Sequence, residues 1–298
     1  MGEANAILVS VLVMSYNAEA YIIDLLESIL HQQYAELELI IADDNSRVRT
    51  IEKIKHWLLM NGGRFERTRL LTSNRNNGTV RNINNGLNYC KGKFIKIIAA
   101  DDILVPNCIS DSVQVCLDHN WEMAIGKAEW VQDEKSPALH HENKRAEDAF
   151  YKMSARQQYA ELLKRNDLIC TPAAFYKMSF LKKYQGFDEA YTLIEDYPFW
   201  LKITANGDHI NHFDHVVVKY RQSTTSATNP EKTVQIYNAR ITKDSKKIFY
   251  RQRMWGLLKN GQIKIVVRNI RRYFIRDLVI MLGNSSKKKL CYALTRFE

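Results

Sequence analysis

Residues 7–46 read ILVSVLVMSYNAEAYIIDLLESILHQQYAELELIIADDNS, and this stretch decides the fold. Its first eight residues are β-branched and leucine-rich, a pattern typical of a buried strand. Apolar residues then recur at helical spacing over 19–31, and a second apolar run covers 37–42. Asp43-Asp44-Asn45-Ser46 follows as a turn and helix-cap cluster. The stretch therefore predicts a strand, a helix and a second strand.

The same alternation continues beyond this unit. We expect helices over 50–60 and 79–89, and strands over 70–72 and 94–99. Strands that alternate with helices indicate right-handed crossovers and an α/β fold with a doubly wound, mainly parallel sheet. Ligands of such sheets bind beyond the carboxyl ends of the strands.

Polar residues follow three of these strands: Ser15-Tyr16-Asn17, Asp43-Asp44 and Asp101-Asp102. Each group could simply cap the next helix, but three groups at one rim favour a ligand site. Adjacent carboxylates suit Mg²⁺ or Mn²⁺, which complete their shells with diphosphate oxygens and water. The chain has no GxGxxG and no GxxxxGK[ST], which argues against a dinucleotide dehydrogenase and a P-loop ATPase.

A second acidic pair, Glu195-Asp196, lies in the segment LIEDYPFW that begins at Leu193. A general base needs an ionised, partly desolvated carboxylate within reach of a hydroxyl. The pair could instead cap a helix that starts near Pro198, because proline is common in a first helical turn. The two readings are compatible, since one carboxylate can cap while the other reacts.

The order of these motifs resembles the family 2 glycosyltransferases with the GT-A fold, over about residues 7–225. The six motifs are VMSYN from Val13, IADDNS from Ile41, Asn77-Gly78 with Arg81, ADD from Ala100, GFDE from Gly186, and Glu195-Asp196. The resemblance implies an inverting enzyme that uses a nucleotide-diphosphate sugar and, usually, a divalent cation, Mn²⁺ or Mg²⁺.

The resemblance also implies roles for individual residues. On the donor side, Ser15 and Tyr16 would flank the nucleotide base, Asp44 would hydrogen-bond the uracil edge, Arg81 would lie near the nucleotide or diphosphate, Asp101 would approach the ribose or sugar, and Asp102 would bind the metal.

On the acceptor side, the resemblance makes Asp196 the catalytic base and Glu195 a neighbour that touches the acceptor. Trp200 lies four residues beyond Asp196 and is the aromatic residue that we expect to meet an acceptor sugar. The metal motif lacks the further acid of many members, because Ala99-Ala100 precedes Asp101. We therefore expect a thinner metal shell, with Arg221 sharing the diphosphate charge.

The positive charge lies at the C-terminus. The whole chain carries +10, but residues 226–298 hold 17 basic and four acidic residues, which is +13, and the rest carries −3. This asymmetry separates a body from a basic tail, and the resemblance implies that the body is a GT-A catalytic domain over 1–225, with a donor half over about 1–105 and an acceptor half over about 106–225. A basic helical region over 226–298 follows. The charged stretch 133–148 is expected to be an exposed loop.

The C-terminal pattern predicts an amphipathic helix over Ile263–Leu282. One arc collects Val266, Ile270, Tyr273, Phe274, Leu278 and Met281, and the opposite arc collects Lys264, Arg268, Arg271, Arg272 and Arg276. Lys287-Lys288-Lys289 follows. Such a helix either packs on the body with solvated basic residues or lies on an anionic membrane surface.

The resemblance implies a glycosyltransferase that moves a sugar from a UDP-sugar to a glycan or lipid-linked glycan in bacterial cell-surface polysaccharide synthesis. Five scattered cysteines and no apolar run of 18 residues favour the cytoplasm, with peripheral contact to the inner face of the membrane. A nucleic-acid-binding protein and a non-catalytic sugar-nucleotide scaffold remain as alternatives. No nucleic-acid partner is expected, because the body is slightly acidic.

Overall fold

The computed structural model describes residues 7–132, 144–222 and 239–281 of the 298-residue chain. The first part alternates strands and helices as the sequence predicts. Its elements are β1 (Val9–Ser15), α1 (Ile22–Leu30), β2 (Leu37–Asp43), α2 (Val48–Asn61), β3 (Arg67–Thr72), α3 (Thr79–Leu87) and β4 (Phe94–Ala99). β1 and β2 are almost wholly buried, as expected for parallel strands covered by helices on both faces.

The middle of the chain adds strands of mixed direction. Its elements are β5 (Ile103–Leu104), α4 (Cys108–Asp118), β6 (Met123–Gln132), α5 (Lys144–Tyr151), α6 (Ala155–Leu162), β7 (Ala174–Lys177), α7 (Met178–Lys183), α8 (Asp196–Ala205) and β8 (Asn211–Gln222). The loop predicted over 133–148 is wrong for its last residues, because α5 begins at Lys144. Residues 133–143 lie outside the described part of the chain.

The eight strands form one sheet in the order β3-β2-β1-β4-β7-β6-β8-β5. β3, β2, β1 and β4 are parallel, whereas β7 runs antiparallel to both β4 and β6. The chain leaves β1 towards β2 on one side and later returns to its other side as β4. Strand order therefore reverses between β1 and β4, and a crevice forms beyond their carboxyl ends, where α/β sheets bind ligands.

The C-terminal region is helical and packs on the body. It comprises α9 (Ala239–Ile248), a π-helical turn (Phe249–Arg253), α10 (Met254–Lys259) and α11 (Ile263–Met281). Phe249 and Leu257 are fully buried, and the guanidinium of Arg253 donates from Nε to the carbonyl oxygen of Leu163 at 2.8 Å. The predicted domain boundary near residue 225 falls among residues that the structure does not describe, so the division stays a prediction.

Helix α11 begins at Ile263, where the sequence predicts it, but its apolar arc is divided. Val266 and Tyr273 are buried, Tyr273 against Phe249 of the π-helical turn with ring centroids 5.5 Å apart, whereas Ile270 and Phe274 are exposed. The helix therefore has one side packed within the C-terminal region and an open apolar side. Lys287-Lys288-Lys289 lies outside the described residues. None of the helices in the described ranges has the length and apolar character that crossing a membrane requires.

Candidate active site

The loops after β1 and β2 are joined by hydrogen bonds at the crevice. Asn17 donates its backbone N–H to Ser46 Oγ at 2.7 Å, and Arg47 donates its N–H to Asn17 Oδ1 at 3.0 Å. Asp43 accepts from the backbone N–H of Ser46 at 2.8 Å. Ser15 lies beside Asp43 in the sheet. The two loops therefore form one fixed wall.

Ser15 and Tyr16 lie at the end of β1 beside this wall with different access, and their predicted contact with a nucleotide base stays a prediction. Ser15 is buried, and its hydroxyl oxygen has no hydrogen-bond partner among the described residues. Tyr16 is 53% exposed and projects from the rim. The ring of Tyr16 is thus accessible, while the hydroxyl of Ser15 is enclosed by protein.

A pocket of about 480 Å³ opens between the carboxyl ends of β2 and β3 and helix α2. Its lining combines an apolar side with polar groups and one lysine: Ile51, Leu58, Leu70, Asp43, Asn45, Ser46, Thr72, Ser73 and Lys55. Apolar walls with a few placed hydrogen-bonding groups suit a flat nucleobase. Neither acidic pair lines the pocket. Asp43 belongs both to the pocket lining and to the wall formed by the loops after β1 and β2.

Asp44 lies beneath the rim and holds the loop that follows β3. Its Oδ1 accepts from the N–H of Asn77 and its Oδ2 from the N–H of Gly78, both at 2.8 Å. The side chain is only 3% exposed. In this structure Asp44 therefore shapes the donor side through the loop, and its predicted contact with a uracil edge stays a prediction.

Gly78 brings this loop against the segment that precedes the second acidic pair. The residue has φ +92°, and a Cβ placed there would lie 2.5 Å from the carbonyl oxygen of Thr192. Val80 donates its N–H to that same oxygen at 3.3 Å. The Asp44 loop and the approach to Glu195-Asp196 are therefore in direct contact.

Asp101 and Asp102 lie beyond β4, on the other side of β1. Asp102 is 1% exposed; its Oδ1 accepts from the backbone N–H of Arg221 at 3.1 Å, and its Oδ2 has no partner among the described residues. Burial, reinforced by the charge of Asp101, raises the pKa of Asp102 to about 8. Asp101 is half-buried, and burial raises its pKa too. A buried carboxylate pair with an unpartnered oxygen is the chemistry that a hard cation relieves.

The accessibility of the pair does not follow the predicted division of roles. The sequence assigned the cation to Asp102 and the ribose or sugar to Asp101, yet Asp101 is the more accessible of the two. Within the described residues no group of three acidic, histidine or cysteine side chains could hold a metal ion.

Arg221 lies against the acidic pair, and its predicted share of the diphosphate charge stays a prediction. Its backbone binds Asp102, and its Nη2 donates to Asp24 Oδ2 at 2.9 Å. The guanidinium also lies over the ring of Tyr21, 4.8 Å from the centroid, and its Nε has no partner among the described residues. A fixed positive charge with a spare donor is thus present beside the carboxylates.

Glu195 and Asp196 lie at the start of α8, which confirms that this pair meets a helix terminus. Asp196 Oδ2 accepts from the hydroxyl of Thr171 at 2.6 Å, and Oδ1 accepts from the N–H of Tyr197 at 2.7 Å. Burial and the adjacent Asp196 raise the pKa of Glu195 to about 8. The two neighbours therefore differ: Glu195 favours its protonated form, and Asp196 is fixed by two hydrogen bonds.

Lys96 lies in the protein interior and holds the backbone next to Thr171, the partner of Asp196. This β4 lysine is fully buried and donates from Nζ to the carbonyl oxygens of Pro172 and Ala174, at 2.5 and 3.2 Å. Pro172 follows Thr171, the partner of Asp196, and burial lowers the pKa of Lys96. Sequence reasoning missed this role, because a single lysine in an apolar strand has no local signature.

Two predicted site residues are placed differently. Arg81 is half-exposed on α3, and its Nε lies 3.4 Å from Glu189, so an anion would have to compete with that carboxylate. The prediction for Trp200 is wrong: it is 2% exposed and stacks on Tyr176 with centroids 6.2 Å apart. Helix α8 is apolar around most of its surface, which places Trp200 in the core instead of facing an acceptor.

The comparisons with known proteins agree with this geometry. Residues 10–185 match the family model for glycosyl transferase family 2. The chain belongs to this family. An uncharacterized glycosyltransferase of Haemophilus influenzae is 26% identical over 264 residues, covering 88% of this chain and 78% of its own. The Escherichia coli UDP-Glc:alpha-D-GlcNAc-diphosphoundecaprenol beta-1,3-glucosyltransferase WfgD is 27% identical over 225 residues, covering 74% and 80%.

Solved structures share the fold of this family 2 glycosyltransferase. Staphylococcus aureus TarS 1–349 in complex with UDP-GlcNAc has a TM-score of 0.59 at 16% identity, covering 97% of this chain and 88% of its own. The Pyrobaculum calidifontis mannosyltransferase PcManGT, in complex with GDP-Man and Mn²⁺, has a TM-score of 0.58 at 15% identity, covering 99% and 77%. The predicted GT-A fold, with a helical C-terminal region, is confirmed. The chain is thus a glycosyltransferase by its family, which decides against the two non-enzymatic alternatives.

Proposed function

We propose that this glycosyltransferase moves a sugar from a UDP-sugar to a hydroxyl of a glycan or lipid-linked glycan, with inversion at the anomeric carbon. The observation that carries the proposal is the fixed position of Asp196. Its carboxylate is oriented by Thr171 and Tyr197, on a segment in contact with the donor loop through Thr192 and Gly78. A carboxylate held beside the donor site is placed to accept a proton from an incoming alcohol.

The donor nucleotide is proposed to lie along the wall formed by the loops after β1 and β2. The pocket beside Asp43 accepts the base, Tyr16 covers it from the rim, and Asp44 keeps the Asn77-Gly78 loop in place. The diphosphate then points across the end of β1 towards Asp101, Asp102 and Arg221.

A divalent cation, Mn²⁺ or Mg²⁺, fits the Asp101-Asp102 pair. The unpartnered Oδ2 of Asp102 and the accessible carboxylate of Asp101 are hard oxygen ligands, and donor phosphate oxygens would complete the shell. Bound there, the cation would supply charge stabilisation for the departing diphosphate. The guanidinium of Arg221 lies on the same side and adds a second positive charge to that region.

The mechanism needs no protein nucleophile. Asp196 accepts the proton as the acceptor oxygen forms its bond to the anomeric carbon and the bond to the diphosphate oxygen breaks on the opposite face. Glu195, with a pKa of about 8, is largely protonated at neutral pH and can donate a hydrogen bond to the acceptor. The two neighbouring carboxyl groups thereby take different tasks.

The test is Asp196→Asn, with Asp167→Asn as the control for loss of a carboxylate at an exposed ion pair with Arg165. Asp196→Asn should bind UDP as the wild type does, by calorimetry, while glycoside formation from UDP-sugars, followed by mass spectrometry, is lost. Asp167→Asn should retain both. Wild-type turnover by Asp196→Asn would remove this residue from the mechanism.

We further propose that the C-terminal region contacts an anionic membrane surface, which brings the enzyme to a lipid-linked acceptor of cell-surface polysaccharide synthesis. Four exposed apolar residues of α11 form one stripe: Ile263, Val267, Ile270 and Phe274, from 43% to 70% exposed. Exposed Lys264, Arg268 and Arg271 flank the stripe on one side. An apolar stripe beside basic residues is the pattern of an interfacial helix.

Sedimentation with vesicles that contain phosphatidylglycerol tests this contact. Phe274→Glu should abolish sedimentation without loss of folding, because Phe274 is 70% exposed. Leu59→Glu is the matched control, since Leu59 is 81% exposed on α2 and lies outside the stripe. Equal sedimentation of Phe274→Glu and wild type would exclude the stripe as the contact. Equal binding of the wild type to neutral vesicles and to vesicles with phosphatidylglycerol would exclude a role of the basic residues.

A further inference from the structure

A buried carboxylate of the C-terminal region holds the segment that leads to Asp196. Asp244, on α9, is fully buried. Its Oδ2 accepts from three successive backbone N–H groups, those of Thr192 at 2.8 Å, Leu193 at 2.7 Å and Ile194 at 3.4 Å. We propose that Asp244 is a positioning residue for the catalytic base, an inference that rests on the proposed function of Asp196.

The geometry is that of an anion bound by consecutive backbone amides. Residues 192–194 belong to neither a helix nor a strand, so their N–H groups have no partners from regular secondary structure. Successive N–H groups that point into one concavity bind a negative charge well. A buried carboxylate also needs such donors to offset its lost hydration. The contact therefore stabilises both the buried charge and one conformation of the segment.

The position of Asp196 depends on this conformation because only Glu195 separates it from Ile194. Two residues of chain span at most about 7 Å, so a shift at Ile194 passes directly to Asp196. The hydrogen bond from Thr171 then orients the carboxylate itself. Asp244 thus places the backbone, and Thr171 sets the side chain.

The same segment contacts the donor side of the cleft. The carbonyl oxygen of Thr192 accepts from Val80 and lies against Gly78, while the N–H of Thr192 binds Asp244. One peptide segment is therefore held from two sides, by the donor loop and by the C-terminal region. This arrangement gives α9 a part in the chemistry, in addition to any role of the basic region in docking.

A neighbouring contact on α9 supports the attachment. Lys247 donates from Nζ to the carbonyl oxygen of Ala190 at 2.6 Å, two residues before Thr192. Further along the region, the hydroxyl of Tyr273 donates to the carbonyl oxygen of Ser245 at 3.1 Å, which joins α11 to α9 without touching the segment. Tyr273 therefore offers a control that weakens the helical region alone.

The test compares Asp244→Asn with Tyr273→Phe by two readouts. Hydrogen exchange should become faster at the amides of residues 192–194 in Asp244→Asn and stay unchanged there in Tyr273→Phe. In transfer assays kcat of Asp244→Asn should fall about 100-fold, as expected for a catalytic group misplaced by roughly 1 Å, with KM for the donor within about twofold. Lys247→Met should change both readouts in the same direction by less, and it serves if Asp244→Asn does not fold.

The outcomes separate this inference from the proposed function. Unchanged exchange at residues 192–194 in Asp244→Asn overturns the positioning role, whether or not the protein transfers sugar. Faster exchange with kcat equal to that of Tyr273→Phe also overturns it, because the held segment would then not matter for the reaction. A wild-type protein without transferase activity refutes the proposed function instead, and the exchange data still decide whether Asp244 holds the segment.

Discussion

Gly78→Ala tests the contact between the donor loop and the segment of the catalytic base. Gly78 has φ +92° and ψ 164°, a region open essentially to glycine alone, so alanine there costs about 1–3 kcal/mol in backbone strain. Its Cβ would also lie 2.5 Å from the carbonyl oxygen and 2.6 Å from Cγ2 of Thr192, where ordinary contact begins at 3.4 Å. A backbone oxygen cannot rotate away, so the two segments must separate by roughly 1 Å, enough to lower kcat about 100-fold.

Gly207→Ala is the matched control for this substitution. Gly207 has φ +88°, but nothing lies within 4 Å of a Cβ placed there, so the variant keeps the strain of a positive φ and lacks the clash. Urea unfolding should show a loss of stability in both variants, larger in Gly78→Ala. Steady-state transfer assays should show a loss of kcat in Gly78→Ala alone. Equal kcat in the two variants would refute the reasoning that the contact between the segments positions the base.

Three further substitutions probe the site. The pKa of Glu195 is about 8 in the folded protein and about 4.3 in the unfolded chain, so the folded state binds the proton more tightly. The free energy of unfolding therefore falls as pH rises between these two values. Glu195→Gln should reduce the pH dependence of the urea midpoint over that range. A slope identical to wild type would contradict the raised pKa. Thr171→Val removes the hydrogen bond to Asp196, which is worth about 1.5–3 kcal/mol for a charged acceptor. The variant should lower kcat at least about tenfold. Its UDP affinity, measured by calorimetry, should equal that of the wild type. A change in UDP affinity alone would place Thr171 with the donor. Trp200→Ala should cost about 3–5 kcal/mol in urea unfolding as a core truncation, with KM for the acceptor unchanged. A raised KM would return Trp200 to the acceptor site.

The donor half of the fold could be predicted because its signals are local. Apolar strands such as β4, observed at the predicted bounds of Phe94–Ala99, alternate with helices, and this pattern alone implies parallel pairing. The mixed strands of the acceptor half have no such signal. β7 is four residues long and β5 only two, so their antiparallel pairing depends on tertiary packing.

The location of the site at one edge of the sheet could be predicted from the sequence, but the hydrogen bonds between its residues could not. Because the carboxyl ends of parallel strands share an edge, Ser15, Asp43 and Asp101 could be expected at one rim, and the sheet has the ends of β1, β2 and β4 there. Contacts such as Asp244 with Thr192 join residues 52 positions apart and leave no periodic trace in the sequence. The apolar arc of α11 was recognised, but periodicity cannot tell which part of the arc is buried, as Tyr273 is, and which is exposed, as Phe274 is.

The central claim is that carboxylates from separate parts of the chain share one cleft with divided tasks, some for the cation-bound donor and one for the proton. Electron paramagnetic resonance of Mn²⁺ with the wild type and with Asp101→Asn, Asp102→Asn and Asp196→Asn, each with and without UDP, tests this most directly. The wild type and Asp196→Asn should bind Mn²⁺ and UDP together, and Asp101→Asn or Asp102→Asn should weaken that binding at least about tenfold. Undiminished Mn²⁺ binding in both Asp101→Asn and Asp102→Asn, or its loss in Asp196→Asn, would contradict the division of tasks.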